Sequence, residues 1–185
     1  MSETHSFGGT AITIRAPEPI DAAAMARFAA SVPAHDLLFL ARDIRQPKVV
    51  GAWLKGQREG TIVSLIALDG GEIVATVAAL SDGLSWSAHV WELRLLVGPS
   101  MRGKGLGRHL LDAAITAATA AGATKLTARM TPDQTGAITL FEECGFRAEA
   151  LLRGQVTDAD GAEHDLALLA MDPARQAARR EAFGD

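Results

Sequence analysis

Tyrosine is missing from this chain of 185 residues, and cysteine occurs once, at Cys144. The first absence removes the phenol as an acid, nucleophile or metal ligand anywhere in the protein. The second rules out an internal disulfide, which fits a reducing, cytoplasmic compartment. Basic residues are not in excess: 18 Lys and Arg stand against 22 Asp and Glu, a formal net charge of −4. Such a balance offers no general field for nucleic acid. No uninterrupted apolar run approaches the ~20 residues that cross a bilayer. The start, MSETHSFGGT, lacks a basic segment followed by an apolar one, so no signal peptide is expected. The five histidines are scattered, without the spacing of a zinc site, and no metal is expected. With 48% hydrophobic and 22% charged residues, the chain has the make-up of one globular domain with a real core.

Residues 1–10, polar and Gly-rich, read as a flexible arm, 11–173 as a single domain, and 174–185 as a polar tail. AITIRAP alternates as a first strand, and IDAAAMARFAASVP is a helix ended by Pro33. DLLFLARDI and VVGAWLKGQ suggest two short helices. TIVSLIALDGGEIVATVAAL is a hairpin about Asp69-Gly70-Gly71, and Trp86 to Val97 reads as a third long strand stopped by Gly98-Pro99. A helix follows, with Leu106, Leu110, Leu111, Ala114, Ile115 and Ala118 on one face and Gly122 at its end. Then come the strand ATKLTARM, a helix in TPDQTGAITLFEECG, and a hairpin about Asp160-Gly161. Hairpins with one strand–helix–strand crossover make a mixed, mostly antiparallel α/β sheet flanked by helices.

The strongest chemical signal is GPSMRGKGLGRHLL. Gly103, Gly105 and Gly107 alternate with Lys104 and Leu106 between a strand and a helix, flanked by Arg102 and Arg108. Glycine lets backbone N–H groups approach a ligand, and a helix start adds unpaired donors and positive dipole. This is a phosphate site in outline. It is not a P-loop, because Gly105 replaces the magnesium-binding hydroxyl, and it does not fit a GxGxxG dinucleotide turn. It fits (Arg/Gln)-x-x-Gly-x-(Gly/Ala) completely. With LRLLVGP before it and KLTARM and GAITLFEECGF after it, the chain resembles the GNAT superfamily of acetyl-CoA-dependent N-acyltransferases over about residues 60–172.

The resemblance implies the acyl-CoA N-acyltransferase fold, a twisted sheet splayed at a β-bulge. Acetyl-CoA would be co-substrate: residues 102–108 (Arg102, Gly103, Lys104, Gly105, Leu106, Gly107, Arg108) would hold its pyrophosphate, and the strand segment Leu95, Leu96, Val97 its pantetheine arm. The acceptor would be an amine of a small molecule, amino acid or peptide N-terminus, attacked directly in a ternary complex, and a homodimer is compatible. Glu92 is the candidate base, with His89 as a weaker alternative and a surface carboxylate as the plain reading. Gln134 matches an asparagine that many members place near the pantetheine, but TPDQ also reads as a capping box with Thr131 as N-cap. Phe141 stands where many members carry a tyrosine that protonates the leaving thiolate. A thiol of pKa ~8.5 leaves tolerably without it. The missing phenol also raises an alternative, a non-catalytic acyl-CoA-binding domain. Cys144 reads as a small buried hydrophobe, and Glu142 and Glu143 as solvated.

Overall fold

The computed structural model describes residues 2–183. Eight strands form one sheet in the order β1-β2-β3-β4-β5-β6-β8-β7. They are β1 (Ser2–Phe7), β2 (Thr10–Arg15), β3 (Ile62–Asp69), β4 (Glu72–Leu80), β5 (Val90–Val97), β6 (Lys125–Met130), β7 (Arg147–Thr157) and β8 (Glu163–Met171). Every neighbouring pair is antiparallel except β5 and β6. The helices are α1 (Ala22–Ser31), α2 (Pro47–Glu59), α3 (Leu106–Ala120), α4 (Thr135–Glu143) and α5 (Pro173–Phe183).

Of the arm expected over residues 1–10, the part from Ser2 on is instead a strand and a turn. The alternating SETHSF pairs residue by residue with β2, and Gly8 and Gly9 take φ of 56° and 83°, the geometry of a tight hairpin turn. Pro173 opens α5 at the start of the expected polar tail, whose last residues, 184–185, lie outside the described ones. The strand expected from Trp86 starts only at Val90. Asp82 Oδ1 accepts the Leu84 N–H and Ser85 Oγ accepts the Ser87 N–H, so these side chains hold residues 81–89 in successive turns. Of the two helices expected after Pro33, VVGAWLKGQ lies inside α2, while the region of DLLFLARDI holds only a 3-10 turn at Ala34–Leu37.

The period-2 and period-3.6 patterns then decide the layers. Odd-numbered residues of β5, among them Trp91 and Leu93, face α3 and pack with Leu106, Leu110, Leu111, Phe141 and Phe146. The opposite face of the sheet, with Ile66, Leu68 and Leu96, is covered by Met25 and Phe28 of α1 and by Val50 and Leu54 of α2. Arg15 at the end of β2 clamps Asp21 before α1 with two 2.7 Å hydrogen bonds, and that carboxylate also accepts the Glu18 N–H.

The feature that positions the site is a parting of strands. β5 and β6 pair only at Val90↔Lys125, Trp91↔Leu126 and Glu92↔Thr127, although both continue beyond. The register of β5 on β4 is unbroken from Glu92 to Val97, so no bulge accompanies the splay on that side; the register shifts fall at Ala67/Leu68 and along β7.

Candidate active site

Past Glu92 one edge of β5 has no strand beside it. Gly98 N–H donates to Val74 O, which makes Gly98↔Val74 a hydrogen-bonded pair. Alternation along the ladder then turns the backbone groups of Leu93, Leu95 and Val97 away from β4, to the open side, and those of Leu96 toward β4. Leu95 and Val97 thus present main chain as expected, with Val97 O already accepting Arg102 Nε at 3.0 Å. Leu96 contributes only its side chain.

The open edge continues into the glycine-rich turn. Gly103 and Gly105 have φ of 71° and 86°, which an L side chain rarely adopts. Among the described residues, no backbone N–H from Gly103 through Arg108 has a backbone acceptor; the first bond of α3 is His109 N–H to Gly105 O. Gly107 has Leu140 and Val97 side chains 3.3 Å from where a Cβ would sit, so this glycine also lets α3 pack close. Arg108 reaches Asp112 and Glu143, while Lys104 lies under the β1–β2 turn, where a Cβ on Gly8 would meet its Cδ at 2.8 Å. Arg102 turns back instead of outward: besides Val97 O, it holds Asp36 at 2.6 Å.

These elements enclose a cleft of about 650 Å³ whose walls include Leu95, Val97, Gly105, Gln134 and Phe141. Gln134 is the N-cap of α4, not its third residue, yet its Oε1 accepts the Thr131 N–H, so the back-reaching half of the expected box forms on the turn before the helix. Phe141 is buried against Phe146, at a ring separation of 5.0 Å, with part of it in the cleft wall. Cys144 is buried and its Sγ lies 3.7 Å from Asp112 Oδ1.

Glu92 sits where β5 and β6 part, on the α1/α2 face. Its Oε1 accepts Arg94 Nε at 2.8 Å and its Oε2 accepts Arg129 Nη2. Burial pushes the carboxyl up, but the hydrogen bonds and charges of Arg94 and then Arg129 outweigh it, and the pKa lies below the ordinary carboxylate value. That environment counts against Glu92 as a proton acceptor near neutral pH. His89 is exposed at the far end of β5 and lines neither cavity of the site.

A second cavity, about 390 Å³, opens on the α2 side of the sheet, and Phe39 and Leu96 line both it and the cleft. Arg94, Arg129 and Asp36 are the residues that sequence reasoning missed here. A signal existed for the first: Glu-x-Arg inside an apolar strand puts two charges on one buried face, which calls for partners. For Arg129 and Asp36 no local signal exists, because their partners lie 37 and 66 residues away.

A strand edge left open beside a glycine-rich turn at a helix start is an arrangement able to receive an extended ligand that carries a phosphate group. The chain belongs to the acetyltransferase (GNAT) family, whose model matches residues 31–146. No curated protein matches it. Among solved structures it is similar to an N-acetyltransferase from Staphylococcus aureus Mu50, at 19% identity and TM-score 0.76, covering 88% of this chain and 98% of that one. It is similar also to yncA, a putative acetyltransferase from Salmonella typhimurium with its cofactor acetyl-CoA, at 21% identity and TM-score 0.75, covering 88% and 94%. A third is the spermidine N-acetyltransferase from Vibrio cholerae in complex with CoA and spermine, at 17% identity and TM-score 0.73, covering 90% and 98%. Among the described residues no helix is long and apolar enough to cross a membrane and no cluster could hold a metal.

Proposed function

We propose that the protein transfers an acetyl group from acetyl-CoA to an amine by direct attack within a ternary complex. The observation that carries this is the row of backbone N–H groups from Gly103 to Arg108, without backbone acceptors, in line with the open edge of β5. A pyrophosphate answers those donors and the positive end of α3. A pantetheine amide answers the open main-chain groups of Leu95 as an added strand would. Acetyl-CoA supplies the activated thioester, and everything else is positioning by this chain.

The acceptor amine enters from the cavity at Phe39 and Leu96, on the opposite face of β5 from the α3 core. An alkyl ammonium of pKa ~10.4 leaves only about one molecule in ~2,500 neutral at pH 7. The residues here help in a way that differs from a carboxylate base. Glu92 is shared between two guanidinium groups, so the junction carries one net positive charge, which disfavours the protonated amine. We assign Glu92 the role of fixing Arg94 and Arg129 across the splay. Phe141 offers no proton, and the thiolate departs to water or to a backbone N–H.

Titration calorimetry with acetyl-CoA, ATP and NAD tests the donor: affinity for acetyl-CoA alone is expected, and none would overturn the reading. A CoA-release screen over amines, amino acids and N-terminal peptides tests transfer. Acetyl-CoA binding with no release for any acceptor would point instead to an acyl-CoA sensor, a reading the buried Phe141 and the doubly paired Glu92 would then explain.

A further inference from the structure

The cavity on the α2 side of the sheet is apolar over most of its wall and cationic at two points. Trp53, Leu40, Ile44 and Leu80 supply the apolar wall. Its shape is held from behind: Trp53 Nε1 donates to Ser64 Oγ at 2.9 Å, and that hydroxyl donates to Gln57 Oε1 at 2.7 Å. A wall fixed by a satisfied polar chain does not collapse to fill the space.

Four charged residues line this cavity: Arg42, Lys55, Glu59 and Arg94. Lys55 and Glu59 face each other one helical turn apart at 3.6 Å and cancel. Arg94 has a side chain only 20% exposed and commits its Nε to Glu92, a carboxylate already shared with Arg129. Two guanidinium groups against one carboxylate leave one positive charge partly buried. Arg42 is exposed and makes no ion pair among the described residues. A half-buried cation short of countercharge is costly unless an anion arrives, and a guanidinium takes a carboxylate or phosphonate in paired geometry.

On the reading that this protein is an amine acetyltransferase, we propose that its acceptor is an amine bearing an anionic group and a compact apolar body, of the amino-acid class, with Arg94 and Arg42 binding the anion. The arginines hold the acid group while Trp53 and its neighbours enclose the side chain. A polyamine is the opposite case: its second and third ammonium groups would meet Arg94 and Arg42, and the one carboxylate among the cavity's lining residues, Glu59, already faces Lys55.

The test is CoA release with three probes at matched concentrations of neutral amine: L-leucine, its decarboxylated counterpart isopentylamine, and spermidine. We expect kcat/KM for L-leucine to exceed that for isopentylamine by ~10-fold or more, the range of one hydrogen-bonded charged contact, and spermidine to be poorest. Arg42→Ala, at an exposed position, and Arg94→Gln should each shrink the leucine-to-isopentylamine ratio, mainly through KM. Isopentylamine or spermidine matching L-leucine would overturn the inference and leave the transferase reading standing. An unchanged ratio in both variants would overturn it too. Silence with every probe would overturn this inference as well, and the wider acceptor screen would then decide the transferase reading.

Discussion

Glu92 carries two ion pairs and a lowered pKa, and both decide what its replacement does. Glu92→Gln is expected to lower kcat/KM by releasing Arg94 and Arg129, while the pH–rate profile above pH 6 keeps its shape. A group that titrates below the ordinary carboxylate range cannot shape a limb near neutrality. Loss of that limb in the variant would restore Glu92 as the base. Asp21 makes the corresponding structural case. The hydrogen bond from Arg15 holds its carboxyl low, against the upward push of burial. A depressed folded pKa contributes stability that is present above the unfolded value, ~3.9, and lost as pH falls through the folded one. Asp21→Asn should therefore cost about 3 kcal/mol at pH 7 in denaturant unfolding, and the gap to the parent should close as pH falls below the ordinary carboxylate value.

At the level of elements, two pieces meet at the glycine-rich turn before α3. Gly105 precedes α3 with φ of 86°, so Gly105→Ala forces a left-handed residue with a Cβ, a strain of ~1–2 kcal/mol. If the backbone relaxes, donors from the turn are lost, and acetyl-CoA affinity measured by calorimetry should fall ~10-fold or more. The N-terminal hairpin supports the same turn from outside. Gly8 packs on Lys104, and the rings of His5 and Phe7 lie 4.5 and 5.4 Å from that of His109 on α3. Deleting residues 1–9 removes these contacts and should cost about 1–3 kcal/mol, read as a Tm drop of several degrees, and weaken acetyl-CoA more than it alters the KM for the amine. The Gly8-Gly9 pair was the available sign of this hairpin. A strand with polar residues on both faces, though, has no hydrophobic alternation to announce it.

For the molecule as a whole, the seat proposed for acetyl-CoA joins the open edge of β5 to the start of α3, parts that a sheet alone leaves apart. Ligand at ~100 times Kd should add about 2.7 kcal/mol and raise Tm by roughly 5–10 °C, a shift that differential scanning calorimetry would show for acetyl-CoA and not for acetate.

Local chemistry in the chain determined much of this. Apolar periods placed α3, β3, β4, β6 and both faces of the sheet, because a helix or strand buries whichever stripe its residues repeat on. The glycines at 103, 105 and 107 marked the turn: the first two take positive φ, and the third leaves room for Leu140 and Val97. Phe141 marked a missing phenol only through the family resemblance, which sets a tyrosine at that position. Only the tertiary structure decided that Glu92 is held between Arg94 and Arg129, that Arg102 folds back onto Asp36, and that a second, cationic cavity joins the cleft at Phe39 and Leu96. The physical reason is common to all three. A charge takes its pKa and its role from partners across space, and those partners come from strands and loops whose separation along the chain says nothing of their distance in the fold.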